Sequence, residues 1–266
     1  MMENGFDKSA LTYDKTFTHR NIGKYLRGRV HGYLDQNLPA GNKLSILELN
    51  CGTGEDAIYF ARHGHCITAT DSSIQMLKIA KRKAAGISLK LDLKFGLLNI
   101  KELGQSMFKG TYDLVFSDFG GLNCISPESL KELSVNLKKV LAQNGRFIAV
   151  VMSKYCIWEI GYYFLKGKIN KSFRRSASRA LDVSMNGDVI RTYYYTPSEL
   201  KKIFTPEFIM VNKSPIGLFL PPTYMESFFN KRPVLLSFFN KLESKFGKYN
   251  WSAIFGDHFL IEMKVK

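Results

Sequence analysis

Cysteine is scarce in this sequence and widely dispersed. The 266 residues contain only four, and none of them forms a C-x-x-C pair: Cys51, Cys66, Cys124 and Cys156. That spacing argues against a zinc site and against a disulfide framework. We therefore expect no bound metal, and thiols that stay reduced, as is usual in the cytoplasm.

Long apolar runs are also missing. No segment approaches the roughly 20 apolar residues needed to span a bilayer. The N-terminal stretch MMENGFDKSALTYDK is polar and carries no apolar signal core. A hydrophobic content of 45% is ordinary for a soluble globular protein. Together these features predict a cytoplasmic protein.

Acidic residues are too few to balance the basic ones. The net charge is +15, divided as +6 over residues 1–150 and +9 over residues 151–266. Three explanations fit this excess: a soluble basic surface, attraction to an acidic substrate or membrane surface, and nucleic-acid binding. Charge alone does not choose between them.

A strand, a glycine turn and a helix follow one another between residues 44 and 64. Residues 44–49 are an apolar run typical of a buried strand, residues 50–54 form a polar turn with two glycines, and residues 56–63 show helical apolar spacing. This order opens a nucleotide-binding βαβ unit, in which glycine lets the turn backbone approach a ligand. We predict a cofactor site at this turn.

Two classes of cofactor compete for that site. The turn and the helix start read G-x-G-x-x-A, and Asp71 follows at a distance that suits a ribose-binding acid, so an NAD-linked oxidoreductase is one interpretation. However, Glu48, Glu55 and Asp56 place carboxylates around the helix N-terminus, where a dinucleotide would put its diphosphate. Those charges suit a ligand with no phosphate and some positive charge, such as S-adenosylmethionine (SAM).

Residues 48–54, ELNCGTG, resemble motif I of the class I SAM-dependent methyltransferases. Asn50 stands where that motif has its first glycine, and Asn tolerates left-handed backbone angles better than most residues. Asp71 resembles the family's acid at the end of the second strand, which binds both ribose hydroxyls. The resemblance covers about residues 44–152. It implies an α/β fold with a Rossmann-like, doubly wound, seven-stranded and mostly parallel sheet, and methyl transfer from SAM as the activity.

The resemblance also implies which residues hold SAM. Tyr13 is expected to act as a lid, Asp71 to bind the ribose, and Asn99 to accept a hydrogen bond from the adenine amino group. For Tyr13 and Met76, packing into the core is an equally good explanation. The implied cofactor-binding residues are Tyr13, Glu48, Asn50, Cys51, Gly52, Gly54, Asp71, Ser72, Met76, Leu98, Asn99, Ser117, Asp118 and Phe119.

The loop after the fourth strand is expected to lie between the methyl donor and the acceptor. Asp118 and Asn123 are candidates for orienting the acceptor. His19, His31 and His258 are candidate bases because histidine titrates near neutral pH. A dedicated base is optional, since the protein must mainly position the acceptor and exclude water. The family's nucleic-acid amino methyltransferases carry Asn-Pro-Pro-Tyr/Phe in this loop, and its absence here argues against a nucleic-acid substrate.

Three regions are predicted along the chain: an N-terminal helical segment (1–43), the cofactor-binding core (44–152) and a C-terminal half (153–266) that completes the sheet. Further strands are predicted at residues 65–70, 89–95, 112–116, 146–152, 189–195, 208–211 and 257–265. Helical insertions near 153–188 and 221–250 are rich in aromatic and basic residues. The sequence is compatible with three roles for these insertions: a cap over the site, a homodimer interface or a membrane-surface patch.

The acceptor itself stays open at this stage. We expect a small organic molecule, and an acidic one and a lipid-like one both fit the aromatic and basic insertions. An alternative to an enzyme is a non-catalytic SAM-binding or membrane-associated accessory protein, which predicts cofactor binding without turnover.

Overall fold

A seven-stranded sheet forms the centre of the molecule. The computed structural model describes residues 6–39, 41–105, 110–177, 179–185 and 188–266. The sheet strands are β1 (Ser45–Leu49), β2 (Cys66–Asp71), β3 (Leu93–Leu97), β4 (Tyr112–Ser117), β5 (Leu141–Met152), β8 (Phe208–Ile216) and β9 (His258–Val265). They lie in the order β3-β2-β1-β4-β5-β9-β8. β9 is antiparallel to both of its neighbours and the other pairs are parallel, which confirms the predicted Rossmann-like α/β fold.

Helices alternate with these strands along the chain. They are α1 (Ala10–Tyr13), which continues as a π-helical turn (Asp14–Thr18), α2 (Asn21–Asn37), α3 (Glu55–Arg62), α4 (Ile74–Ala85), α5 (Pro127–Val140), α6 (Ile157–Leu165), α7 (Ile169–Ser172), α8 (Pro197–Phe204), α9 (Glu226–Asn230) and α10 (Pro233–Phe246). Within the described residues, no helix is both long and apolar enough to cross a membrane.

Both faces of the sheet are covered by helices. On one face, Leu133 of α5 and Phe204 of α8 enter a buried apolar cluster, and on the other face Leu26 of α2 and Phe60 of α3 do the same. The inward residues of α2 recur every four positions from Ile22 to Leu34, which is the spacing that puts them on one helix face. Fully burying each such side chain contributes about 1.5–3 kcal/mol to stability.

Four of the strand predictions are wrong in their details. β5 begins five residues before the expected 146, and β8 continues five residues beyond the expected 211. The strand expected at 189–195 is present as β7 (Asp188–Thr192), but it pairs only with an unpredicted β6 (Leu181–Met185) in a separate ribbon. It ends there because the N–H of Tyr193 donates to the carbonyl of Asn123 at 2.7 Å instead of continuing the ribbon. The strand expected at 89–95 is β3, which begins four residues later because Ile67, near the start of β2, lies opposite Leu93.

Side chains cap the N-termini of two helices, one locally and one across distant segments of the chain. A capping box begins α8, because the Thr196 hydroxyl accepts from the N–H of Glu199 at 3.2 Å and the Thr196 N–H donates to the Glu199 carboxylate at 2.8 Å. The carboxylate of Glu226 in α9 accepts from the N–H groups of Asn21 and Ile22, at 2.9 and 3.0 Å. It therefore caps the start of α2 and fixes the second insertion to the N-terminal region.

Candidate cofactor site

The carboxyl ends of three neighbouring strands meet at one edge of the sheet. Glu48 lies at the end of β1, Asp71 ends β2 and Ser117 ends β4. β2 and β4 flank β1 on opposite sides, so the strand order reverses at this point. In open α/β sheets the crevice at such a reversal is where ligands bind.

The turn between β1 and α3 depends on left-handed backbone angles. The φ angles of Asn50, Gly52 and Gly54 are +50°, +53° and +81°. Asn50 adopts the left-handed conformation that its residue type tolerates, as the motif comparison implied. At Gly54 a Cβ atom would lie only 2.8 Å from the Cβ of Ala80, so the turn packs closely on α4.

Asp71 organises this turn through its carboxylate. Its Oδ2 accepts from the N–H of Gly52 and its Oδ1 from the N–H of Ser73, both at 2.8 Å. Burial raises the pKa of Asp71, while backbone N–H groups, including that of Ser72, oppose the rise. The side chain is 7% exposed, and carboxylate oxygens have lone pairs left for further donors such as ribose hydroxyls.

Asn50 connects the turn to the loop after β4. Its Nδ2 donates to the carbonyl of Asp118 at 2.8 Å, and the Ser117 hydroxyl donates to its Oδ1 at 2.6 Å. A Cβ at Gly121 would lie 2.1 Å from the Asn50 side chain, so this loop needs glycine there. The departure from glycine at Asn50 therefore gains two hydrogen bonds that hold the two halves of the crevice together.

A buried charged cluster lies beside the turn, and sequence reasoning missed its cationic member. Arg27 of α2 is 3.6 Å from Asp56, and its Nε and Nη1 have no hydrogen-bond partner among the described residues. Glu48 Oε2 is likewise buried without a partner in that part of the chain, and Asp118 Oδ2 accepts from no donor there, although the Asp118 carboxyl interacts with that of Asp56. His31 Nε2 lies 2.7 Å from Asp56.

Burial and mutual repulsion set the charge state of this cluster. Burial, followed by the neighbouring Asp56 carboxylate, raises the pKa of both Glu48 and Asp118 well above the usual range. Burial acts on Asp56 in the same direction, but Arg27 and His31 outweigh it and hold the Asp56 pKa below its ordinary value. The site therefore contains a buried guanidinium and two carboxyl groups with unused hydrogen-bonding capacity.

The N-terminal segment closes over this cluster. The Thr53 hydroxyl donates to Asp14 at 2.6 Å, and the Ser73 hydroxyl donates to Asp7 at 2.5 Å. The Phe17 ring packs edge-on against Phe119, with centroids 5.0 Å apart. These contacts hold the segment that carries Tyr13 against the turn, the β2 end and the β4 loop.

Tyr13 itself lies within this closed segment. Its ring packs against Phe17 with centroids 5.6 Å apart, and burial raises the pKa of its hydroxyl. The lid role that the motif comparison implied stays a prediction, and so does contact between Tyr13 and the cofactor.

The remaining implied cofactor residues divide into buried and exposed groups. Cys51, Met76 and Leu98 are buried at 7%, 2% and 7% exposure. Ser72 is exposed, and so is Asn99, whose Oδ1 accepts from the Lys101 N–H at 3.1 Å. Leu98 donates its N–H to the Asp71 carbonyl at 3.0 Å, so this segment lies beside the ribose acid.

Similarity to known proteins agrees with this geometry. A family model described as a methyltransferase domain matches residues 46–145. Malonyl-[acyl-carrier protein] O-methyltransferase from Bacillus anthracis is 25% identical over 183 residues, which cover 67% of this chain and 62% of that protein. These matches support a class I SAM-dependent methyltransferase domain over residues 46–145.

Solved methyltransferase structures share the fold at low identity. A putative S-adenosylmethionine-dependent methyltransferase from Listeria monocytogenes is 17% identical, with a TM-score of 0.58 over 91% of this chain and 98% of that one. Magnesium protoporphyrin IX methyltransferase from Synechocystis, with bound S-adenosylhomocysteine (SAH), is 18% identical, with a TM-score of 0.54 over 92% and 88%. The chain spans about 60% of the length of the first curated relatives it matches. The cofactor of the family is SAM.

The loop after β4, which was predicted to lie on the acceptor side, contains Phe119. Phe119 has a φ of +36°, a strained value for a residue with a side chain. Its ring packs edge-on against His258, with centroids 5.3 Å apart. The imidazole Nδ1 of His258 lies 3.2 Å from Asp257.

A buried ionic chain continues from this histidine into the first insertion. Asp257 Oδ1 accepts from Arg175 Nη2 at 3.0 Å, and Arg175 Nη2 also donates to Glu159 at 2.8 Å. Burial works against ionisation of Asp257, but His258 and Arg175 hold its pKa below the usual range. The chain thus attaches the insertion to the sheet edge beside the crevice.

The other residues predicted to contact the acceptor are Asn123, His19 and Asp118. Asn123 is fully buried, its Nδ2 donates to the carbonyls of Met152 and Tyr193, and its Oδ1 accepts from the Met152 N–H. Its amide is therefore committed to joining strand ends. His19 is exposed at the end of the π-helical turn. Asp118 remains close to the turn through its bond from Asn50.

The described residues contain no cluster of side chains suited to a metal ion. A surface cavity of about 330 Å³ lies at the other edge of the sheet, lined by Lys43, His63 and His65 among others. It is remote from the carboxyl ends of the strands, where the cofactor site is predicted.

Proposed function

We propose that this protein transfers a methyl group from SAM to an O, N or C nucleophile of a small organic acceptor. The strongest support is that the crevice contains both hydrogen-bond donors and hydrogen-bond acceptors that have no partner among the described residues. Arg27 offers unpartnered N–H donors, while Glu48 and Asp118 offer unpartnered carboxyl oxygens. The amino-acid end of SAM carries one carboxylate and one ammonium group, so it satisfies both kinds of group at once.

The same cluster disfavours the NAD-linked alternative. A diphosphate at the start of α3 would meet Asp56, which stays ionised, and Glu55, which is ion-paired with Lys83. Lys83 also pairs with Asp14 at 3.0 Å, so its charge is already engaged. Two negative charges at the helix N-terminus offset the anion-binding potential of the helix dipole.

The chain's own residues have distinct roles in this account. Asp71 would accept from the ribose hydroxyls of SAM, Arg27 would bind its carboxylate, and Asp118 with Glu48 would bind its ammonium group. The closed N-terminal segment with Tyr13 and the Phe119 loop exclude water from the reacting atoms. When bound, SAM supplies a sulfonium methyl group for in-line attack by the acceptor.

His258 is the side chain best placed to take a proton from the acceptor. It lies beside the Phe119 loop, and its Nδ1 is 3.2 Å from the ionised Asp257 carboxylate, which favours a proton on that nitrogen although no hydrogen bond joins the two groups in the described residues. A carboxylate on one ring nitrogen favours the tautomer whose other nitrogen can accept a proton. The sequence offered three candidate bases, and we select His258 among them.

The raised pKa values of Glu48 and Asp118 predict proton release on cofactor binding. A raised folded pKa stabilises the ligand-free protein at low pH, and this contribution is lost as the pH rises toward the folded pKa. An ammonium ligand favours the ionised carboxyls, so SAH binding should release protons and strengthen as the pH rises above the ordinary carboxyl range. Calorimetric titration in two buffers of different ionisation enthalpy measures this release directly.

The variant Asp118→Asn tests whether Asp118 is the group that releases a proton when SAH binds. Asn keeps an acceptor for the Phe119 N–H, now bonded at 2.8 Å, and can donate to Asp56 as a protonated Asp118 does. We expect a ligand-free protein at least as stable as the parent at neutral pH, with weaker SAH binding and less proton release. Unchanged proton release would show that Asp118 does not bind the ammonium group.

Transfer itself is tested with SAM labelled in its methyl group. A panel of carboxylic acids, thioesters, phenols and quinols is offered, and labelled product is measured with the parent and with His258→Ala. We expect one acceptor class to take the label, and His258→Ala to lower the turnover while leaving SAH affinity unchanged. Tight SAH binding with no transfer to any acceptor would favour the non-catalytic accessory alternative.

A further inference from the structure

The two insertions form one helical cap. Trp158 of α6 packs edge-on against Phe229 of α9 and Phe239 of α10, with ring centroids 6.0 and 5.0 Å apart. Tyr162 of α6 also contacts Tyr224, in the turn before α9, at 6.2 Å. We call this unit, made of α6, residues 223–225, α9 and α10, the aromatic cap.

The outer surface of the aromatic cap exposes large apolar side chains. Leu165 is 88% exposed, Val234 is 83% and Phe238 is 53%. The exposed apolar residues of the cap are Ile157, Phe164, Leu165, Tyr224, Phe228, Val234, Leu235, Phe238 and Phe246. Scattered exposed apolar residues need no explanation, but a group on adjoining helices of one unit indicates a binding surface.

Basic residues share that outer surface. Along α10, Val234, Phe238, Lys241 and Lys245 are exposed and recur at intervals of four, three and four residues, so they lie on one face. Arg232 stacks its guanidinium over Phe228 at 4.0 Å, in the segment that leads into α10. The face is therefore apolar at its N-terminal end and cationic at its C-terminal end.

The acidic residues of the cap point inward. Residues 221–250 hold five basic residues and only two acidic ones, Glu226 and Glu243. Glu226 caps α2, and Glu243 accepts from backbone N–H groups of residues 217–220 while fully buried. Glu159 of α6 is buried against Arg174 and Arg175. Because Glu159, Glu226 and Glu243 are all buried, none of them balances the positive charge on the outer surface.

We infer that the outer face of the aromatic cap docks on an anionic lipid bilayer. Aromatic rings with adjacent lysines are the combination that seats a protein in the headgroup region, where the rings enter the interface and the cations meet lipid phosphates. A symmetric dimer through this face would place the same basic surface against itself. Exposed aliphatic residues such as Leu165 and Val234 also contribute nothing to stacking on nucleic-acid bases. The inference is independent of the methyl-transfer proposal.

Vesicle flotation with the full chain tests this surface. We expect binding to vesicles of phosphatidylcholine with phosphatidylglycerol, little binding to phosphatidylcholine alone, and weakening by added salt. Each lysine near an anionic surface contributes about fivefold to partitioning, so the double variant Lys241→Glu/Lys245→Glu should lose roughly 25-fold or more. Phe238→Ser keeps the charge and should also weaken binding.

The matched control reverses the charge of two exposed lysines on α4, outside the aromatic cap. Lys78→Glu/Lys81→Glu, on α4 beside β2 and β3, makes the same change in net charge. It should retain most of the vesicle binding. Equal losses in the two double variants, or no binding of the parent to anionic vesicles, would overturn the inference. A parent dimer that Phe238→Ser dissociates, without any vesicle binding, would overturn it in favour of self-association.

Discussion

Replacing Asp71 by Ala should weaken SAH binding by about 1.5–3 kcal/mol, the contribution of hydrogen bonds to a charged group. Two effects combine in this variant. The ribose hydroxyls lose their acceptor, and the N–H groups of Gly52 and Ser73, each bonded to the carboxylate at 2.8 Å, lose the partner that shapes the turn. Calorimetric titration of the parent and the variant with SAH measures the difference.

The control for Asp71→Ala is Asp92→Ala. Asp92 is half-exposed and pairs with Lys43 at 2.8 Å before the start of β3, away from the carboxyl edge. Exposed ion pairs of this kind contribute little to stability. We expect unchanged SAH affinity in the control, and an unchanged affinity in Asp71→Ala would refute the ribose assignment.

Replacing Arg27 by Met should reduce both stability and cofactor affinity. Removing one partner from a buried ionic cluster costs about 3–5 kcal/mol, because the remaining charge is left uncompensated. Burial opposes ionisation of Asp56, and Arg27 is the leading group that overcomes it, so its stabilisation is present above the ordinary carboxyl pKa of about 4 and is lost on further acidification. Urea unfolding at neutral and acidic pH, with SAH titration, measures both losses.

Lys24→Met is the matched control for Arg27→Met. It removes one positive charge from an exposed position of the same helix. It should change the free energy of unfolding by less than about 0.5 kcal/mol and leave SAH affinity unaltered. An Arg27→Met protein that is destabilised but binds SAH as tightly as the parent would show that Arg27 is structural and does not hold the carboxylate.

The sequence pattern was sufficient for the centre of the site because the signals there are local. A short apolar run, a turn with glycines and a helix start specify one supersecondary unit, and Asp71 follows at the end of the next strand. The left-handed angle of Asn50 follows from residue type in the same way. What the pattern did not show is why Asn is useful: its bonds to Ser117 and Asp118 cross from β1 to β4 and depend on strand order.

Other parts of the site depend on tertiary packing and were not predictable. Arg27 is one of several basic residues on α2, and only the way that helix packs on the sheet shows that it is the one beside Asp56. Asn123 was a candidate for orienting the acceptor, yet the structure commits its amide to Met152 and Tyr193. The main-chain carbonyl of Asn123 accepts from the Tyr193 N–H, which ends β7, so one buried residue accounts for both differences.

Calorimetric titration with SAH, with NADH as the comparison ligand, distinguishes a SAM site from a dinucleotide site. We expect saturable binding of SAH with release of protons, and no binding of NADH. Binding of NADH without binding of SAH would contradict this expectation, because the crevice would then accept a diphosphate beside Glu48, Asp56 and Asp118.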